Sequence, residues 1–161
     1  MAIYLEFDGI GGDVTAEGYA GQVKIESASF SVSREVSMEA GNMSNRESGK
    51  PRFSEVNLGK SADSSSSAFF KSSILGASGK KAILHFVQTG DNDVLKEFIS
   101  YELENCIVSS FSFSADGDQL PYESISLSFS KCTISYTGHD LANKGGGPSR
   151  FGYDVSAGKA A

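Results

Sequence analysis

Apolar and polar residues alternate along most of this chain, and in three stretches the polar residue is serine: residues 27–33, 110–114 and 124–130. A period of two is typical of β-strands, because successive side chains of a strand point to opposite faces of its sheet. Many such strands, one helical stretch and no regular alternation of strands with helices predict a mainly β protein. The expected architecture is an antiparallel β-barrel of two packed sheets with one short α-helix.

The alternation also locates the individual elements. A change of phase near Ser27 predicts a bulge in its strand, and Gly76 is the expected stop of the helix. The turn at residues 116–118 predicts a long hairpin, with Phe111 and Ile125 on the same face. Strands are expected at residues 4–7, 22–35, 53–58, 81–89, 94–115, 124–136 and 151–155, and the helix at residues 68–75.

Two segments break the pattern. Residues 36–52 have few large apolar side chains and predict a long loop, and a loop of this length in a compact domain is either functional or disordered. A glycine-rich tail begins at about residue 141. Because 161 residues fall within the usual size of one domain, residues 1–161 are expected to form a single domain.

The serine-rich strands predict a sheet face that is small, polar and uncharged. Exposed strand positions more often carry threonine or long charged side chains. One interpretation is a solvated face with a compositional bias. A second is the wet wall of a channel shared by several copies, and a third is a flat face against which another subunit or a cargo packs. The residues themselves leave all three open.

Charge and hydrophobicity exclude several partners. The net charge is −6 and the 14 Lys and Arg residues are scattered, so the chain is not expected to bind nucleic acid. It has no apolar run of the roughly 20 residues needed to span a bilayer, so membrane insertion is not expected. The start of the sequence lacks a basic and apolar leader, so any export of the protein is expected to use a route that needs no cleavable signal peptide.

No set of residues predicts catalysis or a bound cofactor or metal. The sequence Gly59-Lys60-Ser61 stands between a strand and a helix, but the first glycine of a phosphate-binding loop would fall on Ser54. Two histidines and two cysteines are too far apart in sequence to suggest a zinc site. Cys106 and Cys132 are expected as reduced thiols in the core, with a cross-strand disulfide as the alternative. The chain is therefore predicted not to be an enzyme.

Residues 42–63 carry a longer pattern, with R-E-S-G-K-P at positions 46–51 followed by F-S-E-V-N-L-G-K-S-A-D at positions 53–63. This segment resembles the signature of the haemolysin-coregulated proteins (Hcp) of type VI secretion systems. The resemblance continues through F-V-Q-T-G at positions 86–90 and F-G-Y-D at positions 151–154, where Tyr153 replaces a common tryptophan. It is weakest from residue 142 to residue 149.

The resemblance implies a phage tail-tube-like β-barrel that forms hexameric rings. The rings would stack into the inner tube of the secretion machine, meet a VgrG-like spike protein and a contractile sheath, and carry effector cargo in their lumen. The resemblance also implies that the protein is made in the bacterial cytoplasm and then secreted without a cleavable signal peptide, to the medium or into a target cell. The alternative is a monomeric β-barrel that binds a small ligand inside its own lumen.

The resemblance also assigns two groups of residues. Part of the long loop is expected to contact neighbouring subunits or rings, the alternative being a flexible surface loop. A pair of serines in the strand after residue 22 is expected to face the lumen and its cargo. The loop residues are Ser44, Arg46, Glu47, Lys50 and Pro51, and the luminal residues are Ser29 and Ser31.

Overall fold

The computed structural model describes residues 1–41, 49–76, 79–90, 93–138 and 147–161, which form twelve strands and one helix. The strands are β1 (Ala2–Phe7), β2 (Val23–Ile25), β3 (Ser27–Ser29), β4 (Val32–Ser33), β5 (Arg52–Phe53), β6 (Val56–Ser61), β7 (Lys80–Thr89), β8 (Leu95–Ser114), β9 (Tyr122–Ser128), β10 (Lys131–Tyr136), β11 (Ser149–Asp154) and β12 (Lys159–Ala160). The helix α1 spans Ser66–Leu75. The predicted mainly β fold with one short helix is confirmed.

Two antiparallel sheets share the long strand β8. Sheet A runs in the order β12, β11, β10, β8, β7, β1, β2, and sheet B in the order β3, β6, β9, β8. The first part of β8, up to Cys106, pairs with β7 and β10, and residues 107–114 pair with β9. The sheets meet again between β2 and β3, where the amide of Glu26 donates to the carbonyl of Gly59 at 2.8 Å. The strands β4 and β5 form a separate small ladder.

The strand predicted for residues 22–35 is divided into β2, β3 and β4. Glu26 and Ser27 are both exposed, so the in-and-out alternation changes phase there, as predicted for this position. The hairpin predicted about residues 116–118 is also present, and Phe111 pairs with Ile125. Its second strand is interrupted at residues 129–130, because β9 pairs within sheet B and β10 within sheet A.

The core lies between the two sheets and is closed at one end by α1. Phe69 of the helix is fully buried and packs edge-on against Phe7, with ring centroids 5.9 Å apart. Burial of such a side chain stabilises the fold by about 1.5–3 kcal/mol. The helix ends at Gly76 in the left-handed conformation (φ 59°), as the sequence predicts.

Both cysteines lie in this core as free thiols. Cys106 and Cys132 are buried, and removal from water raises the pKa of Cys106 to about 12 and that of Cys132 to about 11. Both thiols therefore stay protonated at neutral pH. The structure thus agrees with the reduced alternative.

A hydroxyl face on sheet B

The three serine-rich stretches come together in one sheet. They form β3, β9 and the second part of β8, and β6 lies between β3 and β9. Their outward side chains form three rows across the strands, which we call the hydroxyl face: Ser27–Gly59–Ser124–Ser112, Ser29–Asn57–Ser126–Ser110 and Ser61–Tyr122–Ser114. None of these positions has a charged side chain, so the small, uncharged face predicted from the sequence is present.

Tyr122 lies flat across the hydroxyl face. Its hydroxyl is 2.9 Å from the Oγ of Ser27, two strands away. A Cβ atom at Gly59 would lie only 2.0 Å from this hydroxyl, so the phenol occupies the space that a larger residue at position 59 would fill. Beside it, the Oγ of Ser126 donates to Oδ1 of Asn57 at 2.8 Å. These two contacts pair four polar side chains within the face. At its margin, the Oγ of Ser61 donates to Oε1 of Glu26 at 2.6 Å.

The charged residues of this part of sheet B point the other way, into the protein. The Nζ of Lys60 lies 2.7 Å from Oε2 of Glu123 and 2.8 Å from Oδ1 of Asp63. The Lys60 and Glu123 side chains are only 1% and 5% exposed. Asp63 also accepts hydrogen bonds from the backbone nitrogen and Oγ of Ser65, at 2.8 and 2.5 Å, directly before α1. This ion-pair cluster connects sheet B to the start of the helix.

The sequence pattern did not predict this cluster. Lys60 and Asp63 are three residues apart, a spacing visible in the sequence, but Glu123 is 63 positions from Lys60. Only the pairing of β6 with β9, which places Lys60 opposite Glu123, brings the two together.

The outer face of sheet A has the opposite character, because its charged side chains reach the surface. Lys81 lies 3.1 Å from Glu102, and Lys131 lies 3.2 Å from Glu104. Arg150 of β11 extends across β10 toward Glu102, at 3.8 Å. All five side chains are at least 27% exposed. Surface pairs of this kind contribute little stability, typically below about 1 kcal/mol.

An apolar cleft opens between the sheets beside β3. One cavity of about 310 Å³ and a second of about 370 Å³ share the lining residues Phe30, Tyr101 and Cys132, so they form one continuous cleft. Phe53 stacks on Tyr153 along its wall, with ring centroids 5.3 Å apart. The sequence pattern did not predict the cleft, because its aromatic residues come from five separated strands and segments.

The residues expected to act in assembly differ in exposure and in position, and three of them lie outside the described residues. Ser29 is exposed in the second row of the hydroxyl face, and Ser31 is exposed just beyond β3. Lys50 is exposed, and Pro51 is partly buried at the wall of the apolar cleft. The remaining loop residues, Ser44, Arg46 and Glu47, lie outside the described residues.

Two kinds of feature are absent from the described residues. In these parts of the chain, no group of three or more His, Cys, Asp or Glu side chains is arranged to hold a metal ion. Within the same ranges, no helix is long and apolar enough to cross a membrane.

Comparisons with known proteins agree with the fold and with the sequence signature. Residues 4–136 match the model of the family described as "Type VI secretion system effector, Hcp". The structure is similar to one described as a type six secretion system protein, with a TM-score of 0.90, 21% identity and 99% of both chains covered. It is also similar to Hcp1 from Salmonella typhimurium, with a TM-score of 0.77, 26% identity and coverage of 99% of this chain and 98% of that one. No curated protein matches the sequence significantly.

Proposed function

Because this chain belongs to the Hcp family of type VI secretion system effectors, we propose that its copies pair edge to edge into a hexameric ring whose inner wall is the hydroxyl face. The chain is a structural subunit of the inner tube of the type VI secretion system. What remains to be assigned is which surfaces join the subunits and which surface lines the tube.

The observation that supports the proposal is a pair of free strand edges on the two sides of the hydroxyl face. Residues 107–114 of β8 pair with β9 alone, and β3 pairs with β6 alone, among the strands that the structure describes. An unpaired edge presents backbone amides and carbonyls that readily pair with another strand. The two edges differ from one another, so their pairing is a head-to-tail contact, which closes into a ring when the rotation between copies fits.

Edge pairing would also join the hydroxyl faces of neighbouring copies. A strand added to a sheet continues both of its faces, since side chains alternate in register across a ladder. Serine, asparagine and tyrosine would then line one continuous wall. Such a wall is wet and carries no charge, so it would hold a passing polypeptide neither by ion pairs nor by apolar burial. This property suits transport of effector cargo.

The remaining parts of the proposal concern partners. Rings would stack through the segment that contains Arg46 and Lys50, and the tube would meet a VgrG-like spike protein and the contractile sheath. The stacked tube would be made in the cytoplasm and expelled, which accounts for secretion of the protein itself. These contacts follow from family membership and not from a surface in a single subunit.

The first experiment is to measure the mass of the purified full-length protein by light scattering and to image it by electron microscopy. We expect six times the 17.0 kDa chain mass and a ring with a central opening. In the variant Ser29→Trp, the ring should keep its mass and show a narrower opening, whereas Ser135→Trp, on the outer face of sheet A, should leave the opening unchanged.

Two results would contradict the proposal. A single subunit at working concentrations would favour the monomeric ligand-binding alternative. A ring with an opening that Ser29→Trp leaves unchanged would show that another face lines it.

A further inference from the structure

We propose that Phe113 of one copy is an apolar anchor that enters the cleft beside β3 of the next copy. This inference rests on the proposed ring, and it names the side chains that hold the ring together. It concerns the core-facing side of sheet B, opposite to the hydroxyl face.

An apolar ridge follows the free edge of β8. Phe113 is 69% exposed although it is opposite Glu123, a residue whose side chain points into the core. Phe111 contacts Phe70 of α1 at a centroid distance of 5.8 Å, and Phe70 is itself 54% exposed. Ile74, one turn further along the helix, is 65% exposed. A cluster of large exposed apolar side chains is typical of a surface that another molecule covers.

The apolar cleft lies at the opposite edge of sheet B, on the same core-facing side of the sheet as Phe111 and Phe113. Ala28 is opposite Leu58, which is buried, so Ala28 and the alternate residues Phe30 and Val32 belong to the core-facing side of this edge. Ala28 and Phe30 line the 310 Å³ cavity, and Val32 lines the adjoining one. The apolar cleft is thus bordered by β3, the strand that would pair with β8 of the neighbouring copy in the proposed ring.

The alternation of side chains along the two strands brings the apolar ridge next to the apolar cleft. If the edges pair so that the hydroxyl faces are continuous, the core-facing residues of the two strands must also become neighbours, with Cβ atoms about 5 Å apart. Phe111 and Phe113 would then lie next to residues 28, 30 and 32 of the next copy. A cavity of about 310 Å³ is large enough for a phenyl ring, and both surfaces are apolar and lack charge. A second copy of this chain is therefore the occupant that fits.

Cysteine cross-linking of the full chain is the most direct test of which side chains of the next copy Phe113 contacts. Phe113→Cys is combined with Ala28→Cys or Val32→Cys on the core-facing side, and in the control with Ser29→Cys or Ser31→Cys on the hydroxyl side. Within one copy the two edges are three strand spacings apart, about 14 Å, so a disulfide can form only between copies. Native Cys132 lines the cleft that Phe113 would enter, so Cys132→Ala is included in every test and control variant. The other native thiol, Cys106, is fully buried and its pKa is raised.

We expect covalent ladders on a non-reducing gel for position 28 or 32 and none for position 29 or 31. The reverse pattern, or no cross-link from position 113 in a protein that still forms rings, would overturn the anchor and leave the ring proposal intact. A wild-type protein that never forms rings would instead refute the ring proposal on which the anchor depends.

A second measurement gives the contribution of the Phe113 side chain to subunit association. Phe113→Ala should raise the dissociation constant for subunit association about 30-fold or more, as expected for an aromatic residue that dominates an interface. Leu120→Ala removes a side chain of equal exposure, 70%, from the turn beyond the paired edge, and should change the constant less than about twofold. Circular dichroism verifies that both variants fold. Equal effects of the two substitutions would mean that Phe113 does not anchor the contact.

Discussion

The two sheets differ in where their charged side chains lie. Sheet A exposes Lys81, Glu102 and Lys131 and keeps its inner face apolar. Sheet B has hydroxyls outside, and its Lys60 and Glu123 form a buried pair inside. Burying two charges costs several kcal/mol in lost hydration, and their attraction repays this cost only where the geometry is good and further hydrogen bonds satisfy both groups. Lys60 meets this condition, because its Nζ also contacts Asp63 and the carbonyl of Ser61.

This contrast bears on the interpretations of the hydroxyl face that the sequence left open. A solvated face with a chance excess of serine would tolerate ordinary lysine and glutamate pairs, as sheet A does. On the hydroxyl face, Ser27 instead pairs with Tyr122 and Ser126 with Asn57, while Ser61 donates to Glu26 at the margin. The three interpretations differ in what a charge placed on this face would do, and substitution of its serines by lysine distinguishes them.

The largest expected effect comes from breaking the buried pair. Lys60→Met leaves Glu123 and Asp63 without their cation, and we expect the free energy of unfolding of the subunit to fall by about 3–5 kcal/mol. Urea denaturation of the dissociated subunit measures it. Lys81→Met, which breaks a surface pair on sheet A, should lower it by less than about 1 kcal/mol. Similar losses for the two variants would remove the contrast between the sheets.

A smaller effect is expected at Gly59, the floor of the hydroxyl face. Gly59→Ala places a methyl group where the hydroxyl end of Tyr122 lies. Because this exposed side chain can move aside, we expect a loss of about 0.5–1.5 kcal/mol, the cost of a displaced rotamer. Adding Tyr122→Ala should restore much of the loss, since it vacates the space. Thermal unfolding of both single variants and the double variant gives the coupling between the two sites. Additive losses would show that Tyr122 does not occupy this space in solution.

Lysine substitutions on the outer faces of the two sheets should hardly change stability but should differ in their effect on assembly. Ser112→Lys on the hydroxyl face and Ser135→Lys on sheet A should each change the free energy of unfolding of the dissociated subunit by no more than about 0.5 kcal/mol. Their effects on assembly should differ, because six lysines around one opening repel each other and this repulsion weakens with added salt. Light scattering at low and high salt measures the difference. Salt-independent assembly of Ser112→Lys would place this face away from the opening.

Much of the fold could be predicted because it depends on local patterns. The period of two located the strands, the glycine at position 76 ended the helix, and the break in phase at Ser27 marked the corner between the sheets. The hydroxyl face was predictable too, since each of its serine stretches lies within one strand or its continuation. The position of Ser29 on that face followed from the same alternation.

The features that could not be predicted depend on contacts between distant parts of the chain. Lys60 meets Glu123 only because β6 pairs with β9 in one register, which no local pattern determines. The same is true of the apolar cleft, where Phe30 contacts Tyr101 and Phe53 contacts Tyr153. The serine pattern also does not show that Phe113 stays exposed, because Phe113 occupies the same position in the apolar–polar alternation as a core residue does.

The shared strand β8 has a consequence for folding. Its first part pairs with β7, the preceding strand in the chain, and its second part pairs with β9, the following one. Contacts between neighbours in sequence form faster than distant ones, because less chain entropy is lost when they close. We expect residues 80–128 to become ordered early as one three-stranded unit, so that both sheets begin on a common template and the amino-terminal strands join it later.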